Sequence, residues 1–310
     1  MRTIKLNNGV EMPQLGMGTF LIPKEELGRT LAQAYELGYR QFDTAWRYHN
    51  EKEICKALKD NGINRQDVFI TTKVNRDALF FKPYRTGRSK ILNIRNFKSV
   101  KKVILESFDN LGTDYIDLFL VHWPYPMDLS MRMYEELTKL YYQGRIRAIG
   151  VCSSLPPVFE AYKEVSDVVP AVNQFEISPL NTQKELIKYC HDKGVAVQAM
   201  STFSHFRSNE PRKEILENET IIPIAQKYGK SVAQVVLRWM LQQDILLIPK
   251  TWNPVFLKEN IDVEDFSLTE EEMSIIDSLD KGKFLNYDPY RWLETIPEKY
   301  RRGWKSFNVF

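Results

Sequence analysis

Eight short runs of apolar, largely β-branched residues recur along the chain, and almost every one is followed by a stretch whose apolar positions have helical spacing. The runs cover residues 15–19, 41–44, 68–74, 116–122, 146–151, 171–175, 195–199 and 245–249. Strands this brief, apolar at successive positions, suit a parallel sheet covered on both faces. Parallel neighbours need long crossovers, and the stretches 25–35, 51–59, 100–110, 131–142, 157–165, 182–192 and 231–242 read as the helices that make them. Leu37-Gly38 is a stop signal for the first helix. Thr269-Glu270-Glu271-Glu272 has the form of a capping box opening a last helix through Leu279.

The alternation runs without a break in composition. It predicts an α/β fold, a single closed (β/α)8 TIM barrel spanning residues 1–310. Such barrels typically take about 250 residues, and this chain has 310. An open doubly wound sheet is the structural alternative, weakened because no G-x-G-x-x-G follows the first run.

Three stretches depart from the rhythm. Thr3–Leu6 and Val10–Met12 flank Asn7-Asn8-Gly9, the pattern of an N-terminal β-hairpin. Residues 78–105 carry eight basic residues (Lys82, Arg85, Arg88, Lys90, Arg95, Lys98, Lys101 and Lys102) and no acidic one, so an insertion after the third strand is expected. Its plain reading is a solvated loop and exposed helix face; its sharper one is an anion-attracting insertion at the barrel mouth. The tail 281–310 holds Tyr287, Tyr290, Trp292, Tyr300, Trp304, Phe307 and Phe310, and so much aromatic surface predicts a tail packed on the barrel.

Apolar residues make up 43% and charged residues 27%, and a net charge of +3 argues for neither nucleic acid nor a membrane surface as partner. No apolar run reaches the length of about 18 residues that a membrane span needs. Three separated cysteines and four histidines without ligand spacing predict neither disulfides nor a metal site. A cytoplasmic setting is expected.

Four residues of reactive type fall at or just beyond the C-terminal ends of the second, third and fourth runs: Asp43, Tyr48, Lys73 and His122. In a barrel those ends converge on one mouth, where catalytic groups are found. A free phenol, with a pKa of about 10, donates its proton poorly at neutral pH. An ammonium about 4 Å away favours the phenolate by roughly 4 kcal/mol, or about 3 pK units, before desolvation opposes it. Asp43 would keep Lys73 charged, and His122 would orient a substrate oxygen.

These residues sit in stretches that, taken together, resemble the aldo-keto reductase family. The stretches are Gly16-Met17-Gly18-Thr19-Phe20, Asp43-Thr44-Ala45-Trp46-Arg47-Tyr48-His49-Asn50-Glu51, Thr72-Lys73-Val74, and Leu111-Gly112-Thr113-Asp114-Tyr115-Ile116-Asp117 leading to Val121-His122-Trp123-Pro124. Beyond them come residues 144–151, Asn173-Gln174-Phe175-Glu176 and Ile248-Pro249-Lys250-Thr251, in family order over about 1–280.

The resemblance implies reduction of an aldehyde or ketone with hydride from NADPH, or from NADH, and Asp43, Tyr48, Lys73 and His122 as catalytic tetrad. It implies a cofactor path along Gly18, Thr19, Ser153, Gln174, Met200, Ser201, Lys250, Thr251, Glu259 and Asn260. Gln174 would meet the carboxamide, Ser201 the pyrophosphate, Lys250 and Thr251 the 2′-phosphate, and Glu259 and Asn260 the adenine. Phe20, Trp46 and Trp123 would wall the substrate pocket, with core packing an equal reading for Trp46. The partner is then a small carbonyl compound, and the chain a monomer or weak oligomer.

Three positions depart from the family pattern. Cys152-Ser153 stands for the usual Ser-Asn, Met200 for the stacking tyrosine, and Phe256 for the arginine that clamps the 2′-phosphate. These keep open a rival reading, a redox sensor or scaffold subunit that binds the nucleotide and turns over little. Turnover on aldehydes separates the two.

Overall fold

The computed structural model of the chain describes residues 2–75, 99–203, 210–285, 288–302 and 304. The hairpin comes first. β1 (Thr3–Lys5) and β2 (Glu11–Pro13) pair antiparallel with Ile4 opposite Met12, and Gly9 takes φ +88° in the turn between them. Leu6 and Met12 share a buried apolar cluster with Phe69, Leu118, Leu120, Ala148, Val172 and Leu246 from the barrel interior. Asn7 Nδ2 donates to the Pro170 carbonyl at 3.1 Å and Asn8 Nδ2 to that of Arg147 at 2.8 Å. The hairpin therefore plugs the N-terminal end of the barrel, so a site falls to the C-terminal ends of the strands.

The barrel strands follow in chain order: β3 (Met17–Gly18), β4 (Gln41–Asp43), β5 (Phe69–Val74), β6 (Ile116–Val121), β7 (Ile146–Cys152), β8 (Val172–Glu176), β9 (Ala196–Met200) and β10 (Leu246–Leu247). Each is parallel to the next, and the sheet runs from β3 to β10 without rearrangement. It closes where Gly16 N donates to Leu247 O and Leu247 N to Gln14 O, both at 2.7 Å. β3 and β10 are shorter than expected because the ladder thins at this seam: Leu15 meets Leu247 in a lone bridge, and Pro249 has no N–H to continue it.

Helices α1 (Lys24–Glu36), α2 (Glu51–Asp60), α3 (Val100–Leu111), α4 (Met127–Tyr142), α5 (Pro156–Tyr162) and α6 (Lys184–Asp192) fill the crossovers up to β9. α1 buries Leu27, Thr30, Leu31 and Ala34, the stripe its spacing promises, and stops where Gly38 takes φ +104°, a conformation only glycine adopts at little cost. α4 starts four residues before the expected 131, on Pro126, with Met127 and Ser130 already buried. Between β9 and β10 lie α7 (Glu210–Leu216), α8 (Ile222–Tyr228) and α9 (Val232–Leu241); the first two were not expected. After β10 come α10 (Pro254–Ile261), also unexpected, α11 (Glu270–Asp277) and α12 (Glu298–Arg301). The expected capping box at Thr269 forms with both reciprocal bonds to Glu272, although α11 ends at Asp277 rather than 279.

The described part of the tail packs on the barrel. Lys281 N and Lys283 N reach the Leu180 carbonyl at 3.0 Å, and Leu285 N donates to buried Glu176. Glu164, just past α5, receives Lys299 Nζ at 2.9 Å and the Tyr300 hydroxyl at 2.5 Å. Of the basic stretch, Lys101 and Lys102 are exposed on α3, while Lys82, Arg85, Arg88, Lys90, Arg95 and Lys98 lie outside the described residues, as do Tyr287, Phe307 and Phe310.

Candidate functional site

The parallel register brings the four reactive residues to one end. Gly18 pairs with Asp43, Asp43 with Thr71, and Lys73 with Leu120, while His122 N donates to the Val74 carbonyl at 2.8 Å. Asp43, Lys73 and His122 thus stand on neighbouring strand ends, and a 3-10 turn over Trp46–Tyr48 carries the phenol above them. Lys73 Nζ is fully buried and makes three contacts: Asp43 Oδ1 at 2.5 Å, the Thr44 carbonyl at 2.9 Å and the Tyr48 hydroxyl at 3.5 Å. The rings of Tyr48 and His122 meet edge-on at 5.9 Å.

The electrostatics correct one expectation. Burial would push the Lys73 ammonium down, but Asp43 outweighs it and the pKa is raised, so this lysine stays charged. The ammonium does lower the Tyr48 phenol, as expected. Burial pushes the other way and wins, leaving the phenol raised to about 12. In the free protein Tyr48 therefore holds its proton firmly at neutral pH, instead of being tuned toward ionisation. Burial, then the charges of Lys73 and Arg47, push His122 well below the usual imidazole range, so it is neutral, and its Nδ1 is buried with no hydrogen-bond partner among the described residues.

Around this core lies a polar shell that joins the expected Gln174 and Thr19 to two residues sequence reasoning missed, Gln198 and Asn50. Gln174 Nε2 donates to Asp43 Oδ2 at 2.9 Å and to Gln198 Oε1 at 2.7 Å. Thr19 Oγ1 donates to the Asp43 carbonyl at 2.9 Å. Asn50 Nδ2 reaches the Thr19 carbonyl at 3.0 Å, and its Oδ1 accepts from Thr44 Oγ1 at 2.6 Å. Asn50 lay inside a motif read for Tyr48, and nothing in its spacing marked it; Gln198 lay in an apolar run where a lone amide was the only signal.

The other expected site residues divide. Cys152, whose thiol burial pushes up to about 12, lies with Sγ 4.0 Å from Gln174 Oε1. Ser153 and Ser201 directly follow β7 and β9 with φ +46° and +56°, conformations uncommon outside glycine that cluster at functional sites. Met200, half-buried, closes β9 opposite Glu176. A Cβ on Gly18 would come within 2.9 Å of the Ile248 carbonyl, so only glycine lets this strand end pack against the one carrying Lys250. Lys250 Nζ lies 4.8 Å over the Trp252 ring, and Thr251 Oγ1 accepts from Asn253 N at 3.1 Å. Glu259 and Asn260 occupy the last turns of α10, half-buried and buried respectively.

Among the aromatic residues, Phe20 packs its ring 4.8 Å from that of Tyr48, and Trp123 stacks on His122 at 5.3 Å, nearly parallel at 8°. Trp46 turns to the outer layer, packed against the main core and donating from Nε1 to Glu106 at 3.4 Å. Trp292, 42% exposed, stacks on Tyr125 three residues beyond His122. Among the described residues there is no cluster of side chains able to hold a metal ion, and no helix long and apolar enough to cross a membrane.

The chain is thus a parallel (β/α)8 barrel with a buried Lys–Asp pair beside a tyrosine at the C-terminal strand ends. Residues 14–281 match the model of the Aldo/keto reductase family, and the chain belongs to that family. It is 38% identical to a morphine 6-dehydrogenase of Pseudomonas putida, covering 92% of this chain and 94% of that protein. It is 36% identical to a glyoxal reductase of Bacillus subtilis, covering 93% and 96%. A Gox0644 variant solved in complex with NADPH superposes with a TM-score of 0.80 at 30% identity, covering 93% of this chain and 97% of that one.

Proposed function

We propose that this protein reduces an aldehyde or ketone to its alcohol with NADPH, and that Tyr48 supplies the proton. The observation that carries the reading is the Tyr48 hydroxyl 3.5 Å from a fully buried, carboxylate-paired Lys73 at the barrel mouth. A general acid must hold its proton until the oxygen it serves becomes basic. Tyr48 does so because burial keeps it neutral, and Lys73 then steadies the phenolate left behind, an attraction of about 5 kcal/mol at an effective dielectric of about 20. Neutral His122 has an N–H to offer the carbonyl oxygen, which aims that oxygen at the phenol. Phe20 and Trp123 give the substrate an apolar wall.

The chain's own groups fit the nucleotide. Partial burial and the positive charge of Arg212 both push the Lys250 ammonium below its ordinary value. An ammonium disfavoured in this way is stabilised by an anion such as the 2′-phosphate. Gln174 presents its amide beside Asp43, where the carboxamide would be met, with Ser153 and Met200 beside it. Gly18 and Thr19 line the opposite strand end, Ser201 meets the pyrophosphate, Thr251 the 2′-phosphate, and Glu259 and Asn260 the adenine. Bound NADPH supplies the hydride.

The test is Tyr48→Phe. Turnover on a panel of small aldehydes and ketones should fall about 100- to 10,000-fold, with NADPH binding retained. Full turnover in that variant would end the assignment, and a wild-type protein that binds NADPH but reduces nothing would be the nucleotide-binding sensor instead.

A further inference from the structure

Glu51 is a buried carboxylate to which the proposed chemistry gives no task. It is the first residue of α2, only 2% exposed, three positions after Tyr48. Its Oε1 accepts from the Thr72 hydroxyl at 2.7 Å and its Oε2 from Asn110 Nδ2 at 3.0 Å. Thr72 is fully buried and immediately precedes Lys73 on β5. Burial pushes the Glu51 carboxyl up, opposed by these two hydrogen bonds. An acid at a helix start is favourable by itself, through the partial positive charge of the free N–H groups there. That preference is met equally well by an exposed side chain and does not account for the burial.

What the burial achieves is a closed circuit. From Lys73 one peptide unit leads to Thr72, whose hydroxyl is held by Glu51. Three further peptide units lead back through Asn50 and His49 to Tyr48, and the circuit closes over the 3.5 Å between the phenol and the ammonium. The segment inside it has little freedom. His49 is fixed in the left-handed region at φ +54°, and Asn50 is tied to Thr19 and Thr44. We propose that Glu51 is a positioning residue, whose bond to the Thr72 hydroxyl sets the separation between the Tyr48 hydroxyl and Lys73 Nζ. The inference rests on Tyr48 being the acid, as proposed above.

Glu51→Leu keeps roughly the volume and removes both acceptors, so the Thr72 hydroxyl and the Asn110 amide lose their shared partner. Thr72→Val removes the donor at constant shape. In each, kcat should fall about 10-fold or more, because small displacements of a reacting group are costly, while substrate KM and NADPH affinity hold. Adding Thr72→Val to Glu51→Leu should lower kcat no further than either change alone, because both break the same bond, whereas two unrelated losses of stability would add. Rates are taken per NADPH-binding site well below each melting temperature, so partial unfolding does not enter. Wild-type kcat per site in both single variants, with Tyr48→Phe inactive, overturns this inference alone. A fully active Tyr48→Phe removes the acid, and this inference with it.

Discussion

Asp43 holds two strands at once: Oδ1 takes the Lys73 ammonium at 2.5 Å and Oδ2 takes the Gln174 amide at 2.9 Å. The carboxylate that keeps Lys73 charged is therefore also the group that sets the amide expected to face the cofactor. Asp43→Asn leaves a buried ammonium without its counter-charge and presents an amide donor to another donor. Removing one partner of a buried pair typically costs about 3–5 kcal/mol. Urea unfolding should show a loss of that order together with a fall in kcat; a loss under about 1 kcal/mol would mean that the Thr44 carbonyl alone satisfies the ammonium.

The pH dependence follows from the raised phenol. Tyr48 is protonated at every pH below about 12 in the free protein, so carbonyl reduction should show no loss of the acid across neutral pH. The reverse reaction needs the phenolate, whose population grows about tenfold per pH unit below the pKa. Alcohol oxidation should therefore rise steadily with pH through the alkaline range. A plateau near neutrality would show that the ammonium, not burial, sets the sign. Lys73→Met removes both influences that lower this phenol, the ammonium's charge and its hydrogen bond, and should push the alkaline rise to still higher pH.

Why the four reactive residues could be found in the sequence is a matter of topology. Asp43, Lys73 and His122 each end an apolar run, and in a parallel barrel all run ends meet. Their polar supports could not be found that way. Gln198 and Asn50 matter because of bonds to other strands and loops, and those pairings exist only once the barrel has closed. The sign of the Tyr48 shift was misjudged for the same reason: the Coulomb attraction can be written from residue types, whereas the burial that exceeds it is a property of the assembled mouth. α10 was a different case. Asn253 before Pro254 is a legible start, and the Asn253 side chain does cap Val255 N at 2.9 Å, but a helix of eight residues carries too short an apolar pattern to stand out.

Phe256, 41% exposed on α10, stands where the resemblance implies an arginine, so the proposed reading leaves discrimination for the 2′-phosphate to Lys250 and Arg212. Losing one charged hydrogen bond of about 1.5–3 kcal/mol weakens binding about 10-fold or more. Lys250→Ala and Arg212→Ala should each raise the dissociation constant for NADPH by that amount and leave NADH nearly unaffected. Equal effects on both nucleotides would assign these cations to the pyrophosphate or to folding.

Stability at low pH should depend on Glu272, far from the mouth. Lys227 Nζ at 2.6 Å, the Tyr228 hydroxyl at 2.7 Å and Thr269 N at 2.8 Å all donate to its carboxylate. Burial opposes them and loses, so the pKa falls from 4.5 to about 2. A carboxyl depressed on folding stabilises the folded state above its unfolded pKa, and that contribution fades as pH drops toward the folded value. Glu272 is nearly buried, but Lys227 is more than half exposed, and screening trims the ion pair, so about 1–2 kcal/mol is expected overall. Glu272→Gln should thus melt several degrees below wild type at neutral pH, and the gap should close steadily between pH 4.5 and pH 2. A gap that stays constant down to pH 2 would show that the cap is held by geometry alone, with no contribution from the charge.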